Sequence, residues 1–111
     1  MATIKIMQGD ERDIYIGLKQ SGITIKPSIV DDIEICIGAD IRKTYQSGSV
    51  FFDSKELKWY IRLSQEETLS LAEGLHQAIA RIKYSGAPQS DVIGVKLGSI
   101  IVMGTTSKEV L

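Results

Sequence analysis

Apolar side chains recur at every second position through most of the chain. Ile4 and Ile6 share one face of Thr3–Met7, and Gln8-Gly9-Asp10 then reads as a turn. Across Asp13–Lys19 the residues Ile14, Ile16 and Leu18 alternate with Tyr15, Gly17 and Lys19. This period of two is the mark of a half-buried strand. Ser21-Gly22 breaks the run, and the irregular stretch Ile23–Ile29, which contains Pro27, reads as an edge or a connector. Asp32–Ala39 is the cleanest strand, with Ile33, Ile35 and Ile37 on one face and Glu34, Cys36 and Gly38 on the other. Ile41–Tyr45 either continues it or forms a second strand after a bend at Ala39-Asp40. A hairpin follows from Ser49 to Leu63: Val50–Phe52, a turn at Asp53-Ser54-Lys55, then Leu57, Trp59, Ile61 and Leu63 in alternation with Lys58, Tyr60 and Arg62.

One segment departs from this rhythm. Ser64-Gln65-Glu66-Glu67 is a capping box, in which the hydroxyl accepts from the N3 amide and the N3 carboxylate reaches back to the N-cap amide. Glu66 and Glu67 also suit the positive end of a helix. The pattern predicts a short connecting helix at about 65–73, closed by Gly74, because Gly favours helix ends. So short a helix is unstable alone, so it must dock on a sheet, through Leu69 and Leu71 or Ala72. Leu75–Tyr84 contains good helix formers, which leaves a helix open. A strand is preferred, because Gly74 closes one element and Tyr84-Ser85-Gly86 leads into a turn. Ser85–Asp91, with Gly86 and Pro88, reads as a loop. Val92–Met103 is one long strand or a strand pair. A bulge at Gly98 would let Val95 and Leu97 share a face with Ile100 and Val102.

About seven or eight short strands, with turn signals every 8–12 residues or so, predict an all-β domain over residues 1–104. The expected form is a two-sheet antiparallel sandwich, Ig-like in the broad sense, with a polar tail at 105–111. A small β-barrel is the alternative. Trp59 is expected in the core with Ile33, Ile35, Ile37 and Ile61. Composition agrees: 17 of 111 residues are Ile, a side chain that favours pleated surfaces. The length suits one domain.

Charge and candidate chemistry narrow the function classes. Thirteen Lys and Arg balance fourteen Asp and Glu, so no basic face bids for nucleic acid. No apolar run approaches the roughly 20 residues of a membrane span, and Met-Ala-Thr-Ile-Lys is not a signal region. Cys36 stands among isoleucines and Glu34, a setting that favours a structural thiol over a reactive one. His76 is the sole histidine, without a motif that would place it in a triad. Asp10, Glu11 and Asp13, and separately Asp31, Asp32 and Asp40, are loop carboxylates whose spacing matches no calcium loop. Tyr60 with Lys58 and Arg62 has the residue types to stack bases or sugars, and a polar outer strand face explains them equally well. No catalytic, metal or cofactor residue is assigned, and no cofactor is expected.

Three segments together carry a resemblance. They are Gly9-Asp10 before a strand; Trp59-Tyr60-Ile61-Arg62-Leu63-Ser64-Gln65-Glu66-Glu67-Thr68 followed by Gly74; and Gln77–Gly86 followed by Val92–Val102. Their order resembles the small Ig-like β-sandwich modules of phages and prophages of Gram-positive bacteria, similar to the N-terminal module of baseplate upper proteins. The chain departs from them in a longer loop after Tyr84. Its end near residue 111 also leads us to expect no receptor-binding or coiled-coil domain. The resemblance implies a non-enzymatic assembly protein of a phage or prophage tail, made in the bacterial cytoplasm and carried in the virion. Its partners would be virion tail proteins or further copies of itself, reached through edge strands or the tail after Gly104, with Pro27 guarding one edge. An adhesion or carbohydrate-binding module of a bacterial surface is the alternative function.

Overall fold

The computed structural model describes residues 3–86 and 91–111. The expected loop Ser85–Asp91 therefore falls partly on residues 87–90, outside the described ones. Among the described residues the chain is all-β apart from two short helical turns. Its strands are β1 (Ile4–Met7), β2 (Arg12–Ile16), β3 (Lys19–Gln20), β4 (Ile23–Thr24), β5 (Val30–Ile37), β6 (Ile41–Thr44), β7 (Val50–Asp53), β8 (Lys58–Leu63), β9 (Gly74–Tyr84) and β10 (Val92–Met103). A five-stranded sheet has the order β1-β10-β9-β5-β6, and a three-stranded sheet the order β2-β8-β7. Their inward residues form one hydrophobic cluster, in which Ile33, Ile35, Ile37, Ala80 and Ile82 from the larger sheet join Ile14, Ile16, Trp59, Ile61 and Leu63 from the smaller. Trp59 is fully buried against Tyr45 and Phe52, and its indole Nε1–H donates to the Ile25 carbonyl at 2.7 Å. That bond satisfies the one polar atom of the ring and fixes the connector before β5.

Several expectations need correction. The pairing is not purely antiparallel, because β1 runs parallel to β10, with Ile4 opposite Ile100 and Met7 opposite Met103. The stretch at Ile23–Ile29 is not one irregular edge. Ser21 and Gly22, both with positive φ, turn β3 back on β4, as a two-residue hairpin turn requires. Pro27 then opens a 3-10 turn, Pro27–Ile29, and guards no strand edge.

The helix α1 (Gln65–Ser70) is shorter than predicted, and Gly74 begins β9 instead of closing it. The helix stops because Leu71 turns extended and is buried completely. Burial of one leucine outweighs another helical turn that would have to hold the exposed Ala72 and Glu73. The capping box itself forms: Ser64 Oγ accepts from the Glu67 N–H, and the Glu67 carboxylate accepts from the Ser64 N–H.

Leu75–Tyr84 lies within β9, and β10 is one long strand. The register shifts between Lys96 and Gly98, leaving Leu97 as the extra residue. The bulge switches the inward parity from odd to even positions, so that Leu97, Ile100 and Val102 are all buried.

Candidate interaction surface

Three surfaces and one corner gather the polar and exposed aromatic residues. The outer face of the five-stranded sheet carries an ion cluster. Glu34 on β5 accepts from Arg42 Nε on β6 at 2.5 Å and from Arg81 Nε on β9 at 2.7 Å. The hydrogen bond from Arg81 is the strongest influence on Glu34. Burial works against ionisation, but Arg42 adds a second bond, and the carboxyl is held down to about 2. Cys36, the next outward residue on β5, is half-buried. Burial, and then the Glu34 carboxylate, push its thiol up. A raised thiol is a poor nucleophile at neutral pH.

The outer face of the three-stranded sheet carries an aromatic row. Tyr15, Tyr60 and Phe51 come from β2, β8 and β7, with ring centroids 5.0 and 5.2 Å apart and planes 30° and 25° from parallel. Tyr60 is thus covered on both ring faces by its neighbours, which leaves no face for a base or sugar. Lys58 and Arg62 stand on either side of Tyr60 on the same face. Arg62 lies 3.9 Å from Asp13, and Lys58 pairs in register with Asp53. Partial burial, followed by the nearby carboxylates of Asp53 and Asp13, raises the Tyr15 hydroxyl pKa.

The corner joins α1 to the β1–β2 turn. Thr68 is fully buried. Its hydroxyl donates to the Asp10 carbonyl at 2.7 Å and accepts from the Gly9 N–H at 3.0 Å. Gln8 donates to the Leu71 carbonyl at 2.8 Å and accepts from Lys108. Lys43 reaches from β6 to Glu67 at 2.6 Å. Burial opposes ionisation of Glu67, but bonds from Lys43 and from the Ser64 N–H outweigh it and lower its pKa. The tail after Gly104 folds back here. The Leu111 N–H donates to Gln65, which donates in return to the Leu111 carbonyl.

The remaining sequence candidates are scattered among local roles. Asp10 accepts from the Met7 N–H, and Asp32 accepts from the N–H groups of Ile33 and Gln46. Asp31 accepts from Ser85 Oγ. Glu11, Asp40 and Glu66 are exposed. His76 bonds to the Ala72 carbonyl at 2.7 Å and sits 3.0 Å from where a Cβ on Gly38 would be. Gly38, at φ +54, therefore has both a steric and a backbone reason to be glycine. Among the described residues, no three acidic, histidine or cysteine side chains come together as a metal site. Among the same residues, no helix is long and apolar enough to cross a membrane.

The third surface is an edge. β1 covers β10 only from Ile100 to Met103. Among the described residues nothing pairs with the outer edge of Val92–Lys96. Ile93 and Val95 stand opposite Ile82 and Ala80 and so point inward with them. Yet Ile82 and Ala80 are buried, while Ile93 and Val95 are 48% and 38% exposed. On the outer face Val92 is 45% exposed. Strand periodicity predicted that these residues form a strand. It could not have found this surface, because the strand beside β10 and the residues it covers are set by pairing with a distant part of the chain. No family model and no curated protein matches the chain.

Proposed function

We propose that this chain is a non-enzymatic assembly protein that acts through protein–protein contacts, built on an Ig-like β-sandwich. The open half of β10 carries the reading. A Val-Ile-Gly-Val segment with apolar side chains on both faces has the composition of a strand meant to be covered on both sides. Here an unpaired row of backbone donors and acceptors runs beside it, which is a template for another chain. The order β10-β9-β5-β6 supports the Ig-like part, since it reads as G-F-C-C′ of a variable-type domain, with β2-β8-β7 as B-E-D. The chain has neither the inter-sheet disulfide of antibody domains nor their Trp on strand C, because its single Cys is on β5 and its Trp on β8. Among the described residues the stacked aromatic row and the paired ions are engaged with one another, which supports a binding role over a catalytic one.

The specific setting we propose is a phage or prophage tail or baseplate, on the strength of the sequence motif from Trp59 to Gly74. The test is affinity capture of the tagged protein from a lysate of its source bacterium after prophage induction. Recovery with tail or baseplate proteins is the expected result. Recovery with none of them, together with turnover of a metabolite in an unbiased substrate screen, would defeat the reading.

A further inference from the structure

We propose that the open half of β10 pairs antiparallel with the same segment of a second copy, about a two-fold axis at Gly94, so that the two five-stranded sheets continue into one. The inference rests on the assembly reading above and names its partner. Gly94 provides the first argument. It sits inside a strand, where Gly is unfavourable and often marks the close approach of another backbone. Among the described residues its own fold does not require it: φ is not positive, and no atom beyond its chain neighbours lies within 4 Å of where a Cβ would be. At the axis each Gly94 lies opposite its own copy, so the outer face carries no side chain there and leaves room for the flanking Val92 and Lys96 of both copies.

Self-complementarity is the second argument. Pairing centred on Gly94 sets Ile93 opposite Val95 of the second copy, and Val95 opposite its Ile93. Opposed residues share a face, so these four side chains, each exposed in the single chain, close into one apolar cluster on the inward side. On the outer side Lys96 lies opposite Val92 of the second copy, where its alkyl stem can cover the valine. Charge does not oppose the pairing. The two Lys96 side chains stand four residues apart across the joint, and no charged side chain lies directly opposite a like one. A joint about five residues long lies at the small end of stable interfaces, so the dimer should dissociate on dilution.

The test is sedimentation velocity over a concentration series, with Ile93→Lys, Val95→Glu and the double variant alongside the native chain. Thermal melts show whether each variant stays folded, as expected at positions this exposed. The native chain should pass from monomer to dimer as its concentration rises. Each single variant should weaken the dimer about tenfold or more, because a charge then faces an apolar partner and its own copy lies on the diagonal. The double variant should recover association, since Lys at 93 would then meet Glu at 95 of the other copy. A native chain that stays monomeric overturns the joint, as does a dimer that neither single variant weakens, or a double variant that fails to recover. Slowed amide exchange at Val92–Lys96 only on addition of a different protein would assign the edge to a foreign strand and also overturn it. A monomer that is still captured with tail proteins leaves the assembly reading standing, so the two failures are distinguishable.

Discussion

The two halves of β10 have similar composition and opposite environments. Val92–Lys96 and Ile100–Met103 both read as apolar strand, and both pair with β9 on one side. In the second half Ile100 and Val102 are buried and β1 lies along the edge; in the first, every residue from Val92 to Lys96 is exposed. Four residues of β1 make the difference. Apolar content therefore marks which residues can be covered. What does the covering is a separate question, answered by β1 for one half and, in the proposal above, by a second copy for the other.

The sharpest test of this contrast removes one inward side chain from each half. Ile100→Ala deletes a fully buried side chain and should cost about 2–5 kcal/mol. Ile93→Ala acts on a side chain nearly half exposed and should stay within about 0.5 kcal/mol in the dilute monomer. Urea unfolding at low protein concentration measures both. Equal losses would mean that the first half is covered in solution even without a second copy.

The same contrast shows how far the sequence can be read. Strand positions followed from period-two alternation, because burial of one face leaves a direct trace in residue type. The bulge near Gly98 was legible because Leu97 and Ile100 cannot share a face without an extra residue. The parallel β1–β10 pair was not, since a four-residue strand carries no mark of its neighbour's direction. The docking of α1 through Thr68 was also hidden. A threonine in a helix reads as surface, and its burial depends on the Gly9 and Asp10 backbone that the fold brings to it. For the aromatic row, Tyr60 was visible as an outward residue. That Tyr15 and Phe51 cover both its faces required knowing that β2 and β7 flank β8. The open edge was the least legible feature, because it is set by the pairing of β10 with β1, about a hundred residues away in sequence.

A second, smaller effect tests what holds the cover in place. β1 leads into the turn that Thr68 and Gln8 tie to α1, so the capped helix anchors the strand that shields the second half of β10. Ser64→Ala removes the cap acceptor and should lower stability by about 0.5–2 kcal/mol with the fold unchanged. Amide exchange should quicken at Ile4–Met7 and Ile100–Met103 more than at Val92–Lys96. Uniform quickening along β10 would show that α1 does not act through β1.

The smallest expected effect lies behind the open half. Glu34 links β5 to β9 through Arg81, whose register partner on β10 is Gly94. Bonds from Arg81 and then Arg42 hold its carboxyl at about 2, below the ordinary 4.5. A carboxyl lowered in the folded state binds its proton more readily when unfolded, so it adds stability above about pH 4.5 and loses it as the pH falls toward 2. The melting temperature should therefore decline across that window, and the decline should be shallower in Glu34→Gln, which has no proton to gain there. The two arginines are more than half exposed, and solvent screening keeps the effect modest. Within β10, acid should loosen Val92–Lys96 before Ile100–Met103, because Arg81, the β9 residue that Glu34 clamps, pairs with Gly94 in the first half. Parallel acid limbs for the native chain and Glu34→Gln would show that the ion cluster contributes nothing to that support.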